Sequence, residues 1–482
     1  MCFPLNMLSL AFFLFFPLVM AGYLLFPAKA ARLWLLAASW LFALWAGPEG
    51  LCSLLRATVL TYVGGRVLGR CTGWKRRGVL ALLLVILFGA LFLFKYLNFA
   101  CQLLTGLGWT VHPPALLLPA GISFYLFMAA GYLVDVYRQK AQPRREFLDV
   151  ALFLSFFPQL LSGPIGRAEQ VMPQFRNRRR PSWDGLRLGA FRFLWGAFKK
   201  LVIADRLGML VSTVYADPGS FGRLQVIAAA CAFSIQIYCD FSAYSDMALG
   251  CARMLGVELM ENFKTPYFSR SIAEFWRRWH ISLSSWFRDY LYIPLGGSRK
   301  GTVRKYLNVL IVFAVSGLWH GAGWTFLIWG LLNGLYQVIG GITMGGRTAL
   351  RKGLGLSDDH PVTVGVQILL TFLLSTVAWV FFKADSLDKA AAIFGAMVQG
   401  PWLTHPVTAW GLDRPELLVA ALAVLLLVVV DIRSLQKPVG TALLGWRRPA
   451  RWVAVLVLLA VVLVFGIYGT GYDAQDFIYF KF

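Results

Sequence analysis

Charge is scarce in this sequence. Only 14% of the 482 residues are charged, while 58% are hydrophobic, which excludes an ordinary soluble globular chain. Acidic residues are the scarcest, 23 against 46 Lys and Arg, for a formal net charge of +23. In a soluble protein that excess would point to nucleic acid. Here the basic clusters sit in short loops between apolar runs, so the excess follows the cytoplasmic bias of Lys and Arg in membrane proteins, and nucleic acid is not read as a partner. The seven cysteines (Cys2, Cys52, Cys71, Cys101, Cys231, Cys239 and Cys251) form no C-x-x-C pair, so neither a disulfide framework nor a metal site is read. There is no G-x-S-x-G elbow, so a seryl hydrolase is unsupported. An Asp-His-His-Cys cluster of the kind used in protein S-acylation is absent too. The turn Gly296-Gly297-Ser298-Arg299-Lys300-Gly301 is glycine-rich and basic but lacks phosphate-loop spacing, so ATP binding is not read. Alternating strand patterns, internal repeats and low-complexity linkers are also missing, and a β-barrel is excluded with them.

What is present is a series of apolar runs. They lie at roughly 8–26, 33–45, 51–68, 79–97, 116–137, 147–161, 186–214, 226–255, in two segments around 320, and at 362–382, 417–430 and 452–468. Some are short or polar, so about ten to twelve are expected to cross a bilayer. The expected fold class is an all-α polytopic membrane protein. It is read as one integral-membrane domain, with N-terminal spans over 1–115, a core over 116–345 and C-terminal spans over 346–482. The N-terminus has no basic n-region and reads as a retained first span, not a cleaved signal. Lys29 and Arg32, then Arg70 with Lys75, Arg76 and Arg77, then Arg138, Lys140, Arg144 and Arg145 fit the cytoplasm. Alternation would then put the basic loop Arg167–Arg180 outside. A re-entrant segment near 147–166 would resolve this, with Phe157-Pro158 and Gly163-Pro164-Ile165-Gly166 as its breakers.

The stretch from Pro266 to Gly323 carries two of the five histidines. Read as a helix at about 100° per residue, its first half puts Ile272, Phe275, Trp276, Trp279, Leu283, Trp286, Phe287 and Tyr290 on one arc. Arg277, Ser284 and Arg288 fall on the opposite arc, and His280 on the border. Ser271 and Glu274 have capping-box spacing, and Pro294 with Gly296-Gly297 would end the helix. The charges off the apolar arc suggest an interfacial helix or one lining a wet cavity. The second half, Tyr306 to Gly340, is too long for a single span of about 20 residues. Gly317, Gly321 and Gly323 predict a break at His320, and with it a wet pocket, because irregular backbone at membrane depth needs protein or water around it. Upstream, Asp240 and Asp246 sit in an apolar run with Gln236, Ser242, Tyr244 and Ser245. Inter-helix hydrogen bonding and a cavity wall are both open for them.

The residues FWRRWHISLSSWFRDYLYIPLGGSRKG and SGLWHGAGWTFLIWG resemble the membrane-bound O-acyltransferase family. The likeness is to the branch with alginate O-acetyltransferase and bacterial cell-wall O-acetyltransferases, with the D-alanyl transfer protein of teichoic acids as a relative. IQIYCDFSAYSDMALG, LSGPIGRAEQVMPQF, VAWVFFKADSLDKA and the terminal FIYFKF support it, from about Leu117 onward. The resemblance implies a ring of tilted helices around a central funnel and acyl transfer from a cytoplasmic thioester to an exported or cell-wall polysaccharide. The implied donor is acetyl-CoA or another phosphopantetheine thioester, with no tightly bound cofactor. An extracytoplasmic acetyltransferase-like partner protein and a location in a bacterial cytoplasmic membrane, among membrane lipid, are implied as well.

Acyl transfer to a hydroxyl needs a base for its proton and donors for the oxyanion. His320 is the candidate base, and His280 the candidate that orients the acceptor or polarises the carbonyl. The bland alternatives are a histidine bonded to a carbonyl at a helix break, and a snorkelling interfacial histidine. Trp279, Trp319 and Trp324 are candidate pocket walls, although Trp is common at membrane interfaces. Arg277, Arg278 and Arg288, with Arg299 and Lys300, are candidates for attracting a phosphorylated donor, or else form a headgroup-facing surface. Asp240 and Asp246 complete the candidate set. His112, His360 and His405 are assigned no role. The competing functions are D-alanyl transfer to a teichoic-acid-type polymer, a proton-coupled transporter using Asp240, Asp246 and His320, and a non-catalytic scaffold. No internal symmetry of the transporter kind is seen.

Overall fold

Backbone in hydrocarbon must close its hydrogen bonds within the segment, and the apolar runs of this chain do so as helices. The computed structural model describes residues 6–111, 116–437 and 439–468, and these contain helices and no strand. Cys2, His112 and the terminal FIYFKF lie outside the described residues. Among the described residues, seven helices are long and apolar enough to cross a membrane: Pro48–Arg70, Gly73–Lys95, Arg223–Met254, Trp324–Ile342, Pro361–Lys383, Arg414–Ser434 and Arg448–Phe465. Leu10–Leu25 and Ile122–Tyr137 are apolar but shorter. The polytopic architecture matches expectation, with fewer full-length spans than the ten to twelve foreseen. The reason is local. The run at 147–161 is broken, that at 186–214 carries Lys199, Lys200, Asp205 and Arg206, and helix Thr302–His320 begins with Arg304 and Lys305.

The described residues divide into two compact units, one of residues up to Trp195 with Tyr244–Glu261, the other of Gly196–Ala243 and residues 262–468. In the first unit, the segment expected to break does so. Helix Phe147–Ser155 stops at Phe156, a short turn covers Phe157–Leu160, and the chain then runs irregularly, buried through Gly166. Pro158 removes a backbone donor, as anticipated. Gly121, at φ 74°, faces this bend, and a Cβ there would strike the Leu160 carbonyl. Asp149 is fully buried and meets both Arg32 and Arg176 at 2.6 Å. Arg178 donates to the carbonyls of Phe26 (2.8 Å) and Leu24 (3.1 Å) and lies over the Tyr23 ring. It thereby caps the orphan carbonyls at the end of helix Leu10–Leu25. Part of the positive charge in the Arg167–Arg180 loop is therefore engaged inside the unit.

In the second unit, Thr302–His320 and Trp324–Ile342 form an antiparallel hairpin joined by Gly321, Ala322 and Gly323. Gly317 was read as part of the break. It is instead helical, and it lets two backbones touch. A Cβ on Gly317 would meet the Phe326 carbonyl, and one on Gly330 the Phe313 carbonyl. Small residues at such a crossing are what close helix packing in a membrane requires.

Substituting Ala at Gly330 should gain about 1 kcal/mol of helix propensity but force backbone apart at a cost of about 1–3 kcal/mol. Gly330→Ala is therefore expected to lower the thermal midpoint of the detergent-solubilised protein. Gly345→Ala, where nothing lies within 4 Å, should leave it unchanged or slightly raised. Equal midpoints for the two variants would contradict the packing described.

Candidate functional site

The two histidines of the 266–323 stretch come together in the second unit, their ring centroids 6.3 Å apart. They arrive by different local routes. His320 is the last residue of its helix, as the glycine cluster led us to expect, and Gly321 continues in extended backbone. His280 departs from expectation. The single helix from Ser271 to about Pro294 does not form. Helix Ile272–Arg278 ends, Trp279 is extended, His280 is left-handed at φ 43° and ψ 54°, and a second helix runs Ile281–Phe287, followed by a π-turn at Arg288–Tyr292. The predicted start holds in part. Ser271 Oγ accepts the Glu274 N–H at 3.2 Å, while the Glu274 carboxylate accepts from the Arg270 N–H instead of closing the box.

Neither imidazole sits at a surface. His280 is 0% exposed and His320 is 2% exposed, so the border, interfacial placement of His280 is replaced by full burial. Around His320 stand the rings of Trp319 and Trp329, both at 4.9 Å, and Phe382 at 5.3 Å, all steeply inclined to it. Phe241 meets His280 edge-on at 4.6 Å, and Trp319 lies 5.9 Å from it. The sequence suggested a wet surround for His320; the neighbours found are aromatic. Such a setting lowers the local dielectric and strengthens any charge interaction made within it. Burial pushes the His280 imidazole down to about 3, so it is neutral at physiological pH and can offer an N–H.

The remaining candidates separate. Trp319 walls the histidine pair. Trp279 is fully buried but stacks on Phe275 at 5.3 Å and packs on Trp379 at 5.0 Å, one layer back. Trp324 is 51% exposed at the start of its helix. Arg277 and Arg288 are exposed, and Arg288 pairs with the adjacent Asp289. Arg278 is half-buried, bound to Glu274 at 2.7 Å and to Thr265 Oγ1 at 3.3 Å. Asp240 is buried on Lys200 Nζ at 2.7 Å, and the same ammonium meets Asp205 at 2.8 Å. Asp246, in the first unit, meets Arg192 Nε at 2.9 Å, and Arg192 also binds Glu261.

Several residues that hold the site were not singled out from sequence. Asn262 bonds across to Ser282. Asn333 accepts from Trp276 Nε1 at 3.2 Å and donates to the Trp329 carbonyl at 2.8 Å, tying helix Ile272–Arg278 to the His320 hairpin. Lys199 and Lys200 lie buried in a π-helical turn, Lys199–Ala204, with Lys199 on Ser242 Oγ at 2.6 Å. Two adjacent lysines inside an apolar run were the signal for the last pair, since such charges need partners at membrane depth.

With this geometry in place, comparisons with known proteins are informative. A family model described as MBOAT, membrane-bound O-acyltransferase family, matches residues 81–350. The chain is 36% identical to the probable alginate O-acetylase AlgI of Pseudomonas putida, over 98% of both chains. It is 35% identical to the peptidoglycan O-acetyltransferase of Helicobacter pylori, over 80% of this chain and 78% of that one. A teichoic acid D-alanyltransferase of Streptococcus thermophilus is 25% identical over 65% of this chain and 84% of its own. The first match extends the likeness through the N-terminal spans, beyond the start near Leu117 that the motifs marked.

Removing one partner of a buried ion pair costs about 3–5 kcal/mol because the other charge is stranded. Lys200→Met should therefore collapse the yield of monodisperse protein in detergent. The double variant Lys200→Met with Asp240→Leu should recover part of it. A single variant that melts like the parent would show the pair to be dispensable.

Proposed function

Since the chain belongs to the membrane-bound O-acyltransferase family and is an O-acyltransferase, we propose that it O-acetylates an exported or cell-wall polysaccharide, with His320 as general base. What supports the reaction is the pairing of two buried imidazoles, 6.3 Å apart, drawn from the two histidine motifs. The acceptor class rests on the relatives named as alginate and peptidoglycan O-acetyltransferases. An imidazole nitrogen reaches about 3 Å to a hydrogen-bond partner, so one reacting centre can meet both rings. His320 takes the proton of the acceptor hydroxyl as its oxygen attacks the thioester carbonyl. The new C–O bond forms, the C–S bond breaks, and the thiolate leaves as a thiol with the proton returned by the imidazolium. His280, neutral, donates its N–H to the oxyanion that develops on the carbonyl. Trp319, Trp329 and Phe382 exclude water that would otherwise hydrolyse the donor.

The donor in this proposal is acetyl-CoA or another phosphopantetheine thioester presented from the cytoplasm. The exposed Arg277 and Arg288, with Arg299 and Lys300, offer its phosphates a basic approach. An extracytoplasmic acetyltransferase-like protein would complete delivery to the glycan, in the cytoplasmic membrane of a bacterium. A proton relay through Asp240, Asp246 and His320 is less favoured, because Lys200 and Arg192 hold the two carboxylates in ion pairs. D-alanyl transfer is less favoured as well, because the D-alanyltransferase named above is the more distant relative.

His320→Ala should cut acetyl-ester formation on envelope glycans by about 10²-fold or more, with the amount of protein in the membrane unchanged. Acetyl-ester analysis of cells carrying parent or variant measures this directly. Unaltered ester content would leave a scaffold or transport role in place of catalysis.

A further inference from the structure

Among the described residues, three with side chains adopt positive φ: Gln139 at 60°, Thr265 at 44° and His280 at 43°. For a β-branched residue such as threonine this is a true outlier. Strained backbone persists only where the surroundings over-determine it, and it gathers at functional sites. Two of these three residues belong to one pair of adjoining segments. Residues 262–265 run beside 278–282 and bond to them at several points. The Lys264 N–H donates to the Arg278 carbonyl at 2.9 Å, and the Ile281 N–H donates to the Asn262 carbonyl at 2.9 Å. Asn262 Oδ1 accepts from the Ser282 N–H at 3.3 Å and from the Ser282 hydroxyl at 2.9 Å. Arg278 reaches Thr265 Oγ1, and Phe263 packs edge-on against Trp279 at 5.0 Å. Asn262, His280 and Ser282 are all fully buried.

Left to its own periodicity the 271–290 stretch would be one helix with His280 on its border. The brace bonds to the residues on both sides of His280, Arg278 before it and Ile281 and Ser282 after it. That arrangement holds the left-handed kink which brings the imidazole toward Trp319 and His320. We infer that Asn262 is a positioning residue for the O-acyl transfer site, acting through the backbone on either side of His280 and not by touching substrate. The inference rests on the role proposed for the two histidines. An amide suits the position because one neutral oxygen takes two donors where a carboxylate would bury a charge.

The test uses the full-length protein in membrane vesicles, with acetyl-coenzyme A as the probe donor and the rate of acetyl-ester formation as readout. Chromatography and melting in detergent check the fold of each variant. Asn262→Ala should lower kcat about 10²-fold, the scale of a 1 Å misplacement, with the KM for acetyl-coenzyme A held. Asn262→Asp keeps the acceptor oxygen but buries a carboxylate, so it should recover only part of that loss, with Ser282→Ala also falling between parent and Asn262→Ala. A folded Asn262→Ala with parental kcat, or Ala and Asp variants equally impaired, would overturn the inference. Should Asn262→Ala not fold, Ser282→Ala carries the test, and a parental rate there overturns it. His320→Ala run alongside separates the two ideas. If it stays active, the histidine mechanism itself is wrong; if it is dead while Asn262→Ala is unaffected, only the positioning role is.

Discussion

A polar group deep in an apolar interior must find its partners inside the protein, and the second unit is arranged around that requirement. Its two imidazoles are carried by backbone that leaves the helical path, at Gly321 after His320 and at Trp279-His280. Each departure frees N–H and C=O groups that must find partners outside the helix. At His280 they are met by residues 262–264, and Asn333 binds the flanking helix to the hairpin that ends in His320. Polar satisfaction of the backbone and positioning of the imidazoles are thus one set of hydrogen bonds.

The aromatic layers around this set have a different task. Trp329 and Trp379 stack at 5.6 Å, Trp379 meets Trp279, and Trp279 stacks on Phe275. Large flat rings bury much area while losing little conformational freedom, and they favour the offset and edge-on contacts seen here. They present only weakly polar faces to the histidines. A reacting carbonyl brought among them would meet the imidazole nitrogens as its strong hydrogen-bonding partners from the pair, which is how electrostatic preorganisation acts in a dry site.

Much of this was legible in advance. The polytopic helical class follows from composition. The break at His320 follows from Gly321 and Gly323 in an apolar run, and the broken 147–166 segment from Pro158 and its glycines. The kink at His280 was not legible, because residues 271–290 have good helical periodicity and the force against it comes from Asn262, outside the stretch. Periodicity reports local preference, whereas pairing between segments overrides it without a local mark. Gly317 was misread for a related reason. A glycine that ends a helix and one that admits a neighbouring backbone look alike in sequence, and only the position of Phe326 tells them apart. Trp324, grouped with the pocket by its place in the motif, stands half exposed at the first position of its helix. Lys200 and Asp240, forty positions apart, could be matched only once the fold joined them.

That last pair bears on how the chain is made. Lys199, Lys200 and Asp205 lie in the helical stretch ending at Ala216, and Asp240 and Ser242 lie in helix Arg223–Met254, with only residues 217–222 between the two. A bare ammonium or carboxylate at mid-bilayer is penalised by a few kcal/mol each during insertion. Neither stretch can therefore settle comfortably in lipid alone. Entry of the two stretches together lets Lys200 and Asp240 meet as counter-ions on leaving water, in place of each being stranded.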